Sequence, residues 1–372
     1  MILLLHNRYR IPGGEERAVE DLAWLIRTRL GEEAGILTRD SVGLGRRRAA
    51  LGLLRGGLEP AEVAAAVKRT GARVVHAHNV QPALGWRALA AAREAGARVV
   101  LHLHNYRLVC AVGTCFTRGQ DCTRCHGRNT LPGVRLNCRG GSRAESAAYG
   151  AGLALWQGRL TDSADAFVVP SAFARSRLEA LGAPLAGRAH VIPSVQRELA
   201  VRSSAASGGY ALYAGRLTAE KGVADAIAAC RAAGVPLVVA GDGPDAAALR
   251  AGAPDVRFMG RVSAGELAAL RAGAAIALVP SRYEEILPLA ALEAMAAGLP
   301  VVASRAGGLA EIVPEPGLHP PRDVGAMAHR ISALWGSNAA GDAALAVARE
   351  LTAPAVIAAR LRAVYAAAGG SS

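Results

Sequence analysis

The stretch from Ser281 to Gly308, Ser-Arg-Tyr-Glu-Glu-Ile-Leu-Pro-Leu-Ala-Ala-Leu-Glu-Ala-Met-Ala-Ala-Gly-Leu-Pro-Val-Val-Ala-Ser-Arg-Ala-Gly-Gly, limits the folds open to this chain more than any other. The apolar run over residues 274–280 reads as a buried strand, residues 300–303 read as another, and a helix lies between them. Leu289, Leu292, Glu293 and Ala296 recur at helical spacing, Gly298 stands where a helix stops, and Pro300 forbids its continuation. The helix is predicted to begin close to residues 285–288, with Pro288 in its first turn. Such a strand-to-helix turn offers backbone N–H groups to an anion. Two carboxylates, Glu285 and Glu293, nevertheless border it. A carboxylate repels phosphate but accepts hydrogen bonds from sugar hydroxyls, so the site is expected to want both phosphate and sugar.

Glu285 and Glu293 enclose seven residues. With the following Ala-Met-Ala-Ala-Gly-Leu-Pro-Val-Val-Ala and Gly307-Gly308, the stretch resembles the signature of retaining family-4 glycosyltransferases, nucleotide-sugar-dependent enzymes of the GT-B fold. The resemblance implies two doubly wound, Rossmann-like α/β domains facing a central cleft. It also implies that Glu293 accepts hydrogen bonds from ribose, that Glu285 holds donor-sugar hydroxyls, and that Ile286, Leu287, Pro288 and Leu289 border the donor.

The rest of the chain fits that frame. At 372 residues, two domains are expected. Short apolar runs alternate with helical patterns, which implies parallel sheets with ligands at the strand carboxyl ends. The expected division is a first domain over residues 1–195 on the acceptor side, a linker over 196–209, a nucleotide-sugar domain over 210–352, and a terminal segment over 353–372 returning to the first domain. Val356, Leu361 and Val364 share one face of that last helix. Gly13 and Gly14, after the first strand, let backbone approach a ligand without interference from a Cβ, and the resemblance puts this loop at the mouth of the cleft. In Gly-Arg216-Leu-Thr-Ala-Glu-Lys221-Gly, the lysine is one of only two in an arginine-dominated chain, and a compact ammonium suits phosphate. The resemblance assigns Arg216 and Lys221 to the donor diphosphate and puts the turn at Gly241 beside the nucleotide.

His76, His78, His102 and His104 fall near strand ends. They alternate on short strands without a partnered carboxylate, so no metal is expected there. By resemblance, His104 faces the donor sugar. Cys110, Cys115, Cys122, Cys125 and Cys138 crowd an insert over residues 106–143. Cys110, Cys122, Cys125 and Cys138 are a candidate structural zinc set, although only one Cys-x-x-Cys pair is present; free thiols lining a loop, or a redox-labile pair, are the favoured reading. The insert is expected to be irregular and to serve as a lid or acceptor surface.

The net charge of +13 suits anionic partners, either nucleotide diphosphates or an anionic membrane surface touched peripherally, although the arginine-rich composition has a bland account in genome base content. Aromatic content of 4% leaves no stacking platform for nucleic acid. The basic run Arg46–Arg48 is predicted to be a solvated loop. No signal peptide or membrane-spanning run is read, which points to the cytoplasm or the inner membrane face. The expected function is retaining transfer of a sugar from a nucleotide-diphosphate sugar to an unidentified hydroxyl acceptor, with no required cofactor. The alternatives are a GT-B epimerase or phosphorylase, or a noncatalytic module binding zinc or anionic surfaces.

Overall fold

The computed structural model describes residues 1–9, 13–139, 142–185, 187–197 and 202–367. Residues 10–12 of the Gly13-Gly14 loop and residues 198–201 of the expected linker lie outside that set. The chain forms two compact units, Met1–Thr117 with Cys122–Val195 and Pro354–Ser372, and Gln196–Ala353 with Arg118–Asp121.

The strands are β1 (Ile2–Arg8), β2 (Ala34–Asp40), β3 (Val74–Ala77), β4 (Arg98–His102), β5 (Phe116–Thr117), β6 (Gln120–Asp121), β7 (Ala166–Val169) and β8 (Ala189–Val191), then β9 (Tyr210–Ala214), β10 (Leu237–Ala240), β11 (Arg257–Gly260), β12 (Ala274–Val279), β13 (Val301–Ser304) and β14 (Leu318–His319). In the first unit they pair in parallel in the order β2-β1-β3-β4-β7-β8. The second sheet is also parallel, in the order β11-β10-β9-β12-β13-β14. Every residue of β3, β12 and β13 is buried, as the short uninterrupted apolar runs require when helices cover both faces. Both sheets are doubly wound. Their strand order reverses between β1 and β3 in the first and between β9 and β12 in the second, and the carboxyl ends at such a reversal leave a crevice.

The terminal helix Pro354–Ala367 buries Ile357, Ala358, Leu361 and Val364 in the core formed by β1, β3, β4 and β7. Ile357, and not Val356, leads the buried face. Two other expectations are corrected. Arg46–Arg55 is a helix and not a loop, bounded by Gly45 and Gly56 at positive φ, because arginine, alanine and leucine all favour helix once glycines supply the turns. The signature helix spans Leu289–Ala296 and so begins later than residues 285–288. Pro288 caps it in an extended conformation at ψ 121°, and a proline also biases the residue before it away from the helical region. The insert is mostly turns, with the two-residue strands β5 and β6 and a short helix Leu131–Arg135.

Candidate functional site

In the second unit, the loops leaving β9 and β12 meet at the point of strand reversal. The loop after β9 carries Arg216 and makes a single turn at Ala219–Lys221; the loop after β12 carries Ser281, Tyr283 and Glu285. Lys221 Nζ donates to Glu285 Oε1 at 2.5 Å, Ser281 Oγ donates to the same oxygen at 2.5 Å, and Tyr283 Oη donates to Oε2 at 2.7 Å. Glu285 is 5% exposed. Burial by itself would raise its pKa, but the Lys221 ammonium and the two hydroxyl donors more than offset that and keep it below its ordinary value. Burial pushes the Tyr283 phenol well up, and the neighbouring carboxylate adds to the effect, so the hydroxyl keeps its proton to donate. Lys221 also lies 5.2 Å from the Tyr283 ring centre. Arg216 is exposed, and its carbonyl accepts from Tyr213 Oη at 2.8 Å.

Glu293 sits one turn into its helix and pairs with the buried Arg271 guanidinium from the end of the helix Ala264–Ala272. Arg271 was not singled out in the sequence, where it reads as the basic last turn of an ordinary helix; only its burial reveals the partnership. Asp225 and Arg282 form a second ion pair that the sequence analysis missed, with two hydrogen bonds of 2.7 and 2.5 Å.

Glycines let these loops close on one another. Gly241 has φ +147°, and a Cβ there would stand 1.8 Å from the Gly215 carbonyl oxygen. Gly222 packs equally closely on Pro280, and Gly307 on Glu285, whose carbonyl accepts from Gly308 N at 2.8 Å. Ile286 and Pro288 are buried in the loop before the helix, whereas Leu287 and Leu289 are partly exposed.

In the first unit, imidazoles gather at the ends of β1, β3 and β4. His104 Nε2 lies 2.8 Å from His78 Nδ1, and its ring stacks on His102 at 3.9 Å between centres. Burial, reinforced by the nearby His6, drives the His104 pKa down to about 3, so this imidazole is neutral near pH 7. Asn105 Nδ2 donates to Tyr9 Oη at 3.2 Å, and the Arg107 guanidinium lies 4.9 Å from the Tyr9 ring centre. Neither Tyr9 nor Arg107 carried a sequence signal. Gly13 caps the helix Gly14–Leu25, and its N–H donates to Glu16 Oε2 at 2.7 Å, so that amide is already satisfied.

The five cysteines of the insert line one cavity together with Ala111, Phe116 and Leu136. Hydrogen bonding from the Cys115 thiol outweighs burial and lowers the Cys110 pKa to about 6, while Cys115 is raised. Among the described residues, the group of three or more metal-ligating side chains whose donor atoms fall within 4.8 Å of one another is His76, His78 and His102. Cys110, Cys122, Cys125 and Cys138 share the cavity without converging to that degree, so the zinc set considered from spacing is not assembled.

Residues 10–194 match the model of the glycosyl transferase 4-like domain, and residues 208–337 match that of the glycosyl transferases group 1. The chain belongs to this family-4 group of GT-B glycosyltransferases. It is 39% identical over 153 residues to a glycogen synthase of Mycobacterium tuberculosis, a match covering 37% of each chain. It is 35% identical over 103 residues to a GDP-mannose-dependent alpha-mannosyltransferase of Corynebacterium glutamicum, covering 28% of this chain and 25% of that one. These matches thus span well under half the length of the curated relatives. Among solved structures, sucrose-phosphate synthase from Thermosynechococcus elongatus superposes with a TM-score of 0.70 at 19% identity, covering 98% of both chains. The Anabaena HepE protein in complex with UDP and glucose does so with a TM-score of 0.67 at 18% identity, covering 98% of this chain and 99% of that one. At these identities the superpositions establish the fold.

Proposed function

We propose that this chain transfers a sugar from a nucleotide-diphosphate sugar to an acceptor hydroxyl with retention of anomeric configuration. The observation that carries the reading is the pairing of partly exposed Lys221 with the buried Glu285 carboxylate at the strand reversal of the second unit. An ammonium has three protons and a carboxylate about four lone-pair positions. Lys221 spends one proton on Glu285, which leaves two for diphosphate oxygens; Glu285 takes three donors from the chain, which leaves room for a sugar hydroxyl.

As the bond from the sugar's anomeric carbon to the diphosphate breaks, negative charge grows on the leaving oxygen. Lys221 and Arg216 stabilise it without relying on an added metal. The acceptor oxygen attacks the face that the diphosphate leaves, and a diphosphate oxygen takes the acceptor's proton. Glu293 receives ribose hydroxyls beside its Arg271 partner, and neutral His104 faces the donor sugar. Gly13, Gly14 and Gly241 let backbone come close to the ligand. Incubation with UDP- and GDP-sugars and a panel of hydroxyl acceptors, read by NMR of the new linkage, tests the proposal. A product with the donor's anomeric configuration is expected. An inverted linkage, or release of a free epimer without transfer, would overturn it.

We further propose peripheral contact of the first unit with an anionic membrane. On the helix Arg46–Arg55, Leu51 and Leu54 are exposed beside Arg46, Arg47, Arg48 and Arg55, and Val42 just before it is 66% exposed. Apolar side chains among arginines suit an anionic lipid interface. No described helix is long and apolar enough to cross a membrane. Sedimentation with phosphatidylglycerol vesicles, lost when Leu51 and Leu54 become serine, checks it; equal binding by that variant would count against it.

A further inference from the structure

We propose that His76, His78 and His102 form a transition-metal site, of a kind that takes zinc, inside the first unit. His76 and His78 stand two residues apart along β3 and its end, so they point to one face of the sheet. β3 and β4 pair in parallel with His76 opposite Val100 and Ala77 opposite Leu101, and one further step brings His78 opposite His102. Tertiary structure thus adds to a His-x-His pair a third imidazole from the neighbouring strand. The three ring centres lie 4.9, 5.1 and 5.4 Å apart, and one nitrogen of each ring falls within 4.8 Å of the other two.

Those nitrogens also lack protein partners. His76 Nε2, His78 Nε2 and both ring nitrogens of His102 find no hydrogen bond among the described residues, although the three residues are only 0%, 2% and 8% exposed. A buried polar atom without a partner is costly, and several gathered at one place point to a missing ligand. The opposite edges of two rings are held as metal-ligating imidazoles usually are. His76 Nδ1 lies 2.7 Å from Tyr365 Oη and His78 Nδ1 lies 2.8 Å from His104 Nε2, so each can donate its Nδ1 proton outward and present Nε2 as a lone pair.

Imidazole suits zinc, copper and nickel. Three imidazoles with a fourth position taken by solvent is a known tetrahedral zinc donor set. The rings of His76 and His78 lie within 9° of parallel, so their lone pairs converge only when the rings turn about χ2, a turn that also re-angles the Nδ1 contacts to Tyr365 and His104. That torsion is broad in histidine. Loading would immobilise His78 and, through its hydrogen bond, His104.

The test uses the intact chain, stripped with a chelator and titrated with cobalt(II) and zinc(II). The expected result is one metal per chain, with visible cobalt bands of tetrahedral intensity and no thiolate-to-cobalt charge-transfer band. Affinity should fall at least tenfold in His76→Gln and in His102→Gln, and stay unchanged in Cys122→Ser. Charge-transfer absorption, or loss of binding in Cys122→Ser, would move the metal to the cysteine cavity and overturn the assignment. Wild-type protein that takes up no metal while folded would also overturn it, and would leave internal water as the partner of these nitrogens. The cobalt spectrum of the unaltered chain decides the matter even if a histidine variant does not fold.

Discussion

Lys221 and Arg216 look alike in sequence as two cations on one loop, but the structure separates them. Lys221 neutralises a buried carboxylate, whereas Arg216 is exposed. Both Lys221→Ala and Arg216→Ala should weaken nucleotide-diphosphate binding far more than nucleoside binding, by about 1.5–3 kcal/mol for a charged hydrogen bond. Lys221→Ala should in addition destabilise the protein by roughly 3 kcal/mol, since it leaves Glu285 buried without its counter-charge. Calorimetry with both ligands and denaturant titration of both variants check this; equal stability losses would argue against the pairing. The glutamates should also differ. Glu293→Gln is expected to weaken the free nucleotide diphosphate, whereas Glu285→Gln, which keeps an oxygen for Lys221 to bond, should spare it and lower turnover, because the ligand contact proposed for it is to the sugar. A third carboxylate gives a pH signature. Burial opposes the charge of Glu16, yet the His6 imidazole 3.7 Å away and hydrogen bonds from the Gly13 and Tyr9 amides outweigh it and hold the pKa at about 2 against an ordinary 4.5. A lowered folded-state pKa means stability that is fully present above about pH 4.5 and is lost as pH falls through 2. Unfolding free energy should therefore fall less steeply over that window in Glu16→Gln than in the unaltered chain.

At the level of elements, the loops leaving the strand ends matter more than the helices they lead to. The signature helix was expected to begin beside Glu285, but Pro288 delays it to Leu289 and leaves residues 286–288 as loop between carboxylate and helix. The delay lets the Glu285 backbone pack on Gly307 and Gly308 while its side chain turns to Lys221. Glycine is needed where two such loops touch. Gly241→Ala would combine a disfavoured positive φ with a Cβ driven onto the Gly215 carbonyl, so a loss of at least about 1–3 kcal/mol is expected by thermal or urea unfolding. Gly43→Ala, where a Cβ meets nothing within 4 Å, should be close to neutral.

For the molecule as a whole, the last helix belongs to the first unit although it follows the second in sequence. Truncation after Ala353 would remove Ile357, Leu361 and Val364 from the first core and Tyr365 from His76. Burial of each such side chain is worth about 1.5–3 kcal/mol, so the truncated chain should lose most of the first unit's stability. Loss of protection in that unit's strands by hydrogen exchange would show it; unchanged protection would contradict the packing. The two doubly wound sheets were legible because local patterns decide them: short apolar runs, glycine turns and helical spacing recur in order, and the Glu285–Glu293 stretch adds a family signature. The glycines, Lys221 and both glutamates of the candidate site could be named for the same reason. Their partners could not. Arg271 lies 22 residues from Glu293 in the chain, and Tyr365 lies 289 from His76, so no local period links either pair. The alternating histidines could be seen to share a face within each strand, but which strands are neighbours, and therefore that three imidazoles converge on one buried point, depends on the order of the folded sheet.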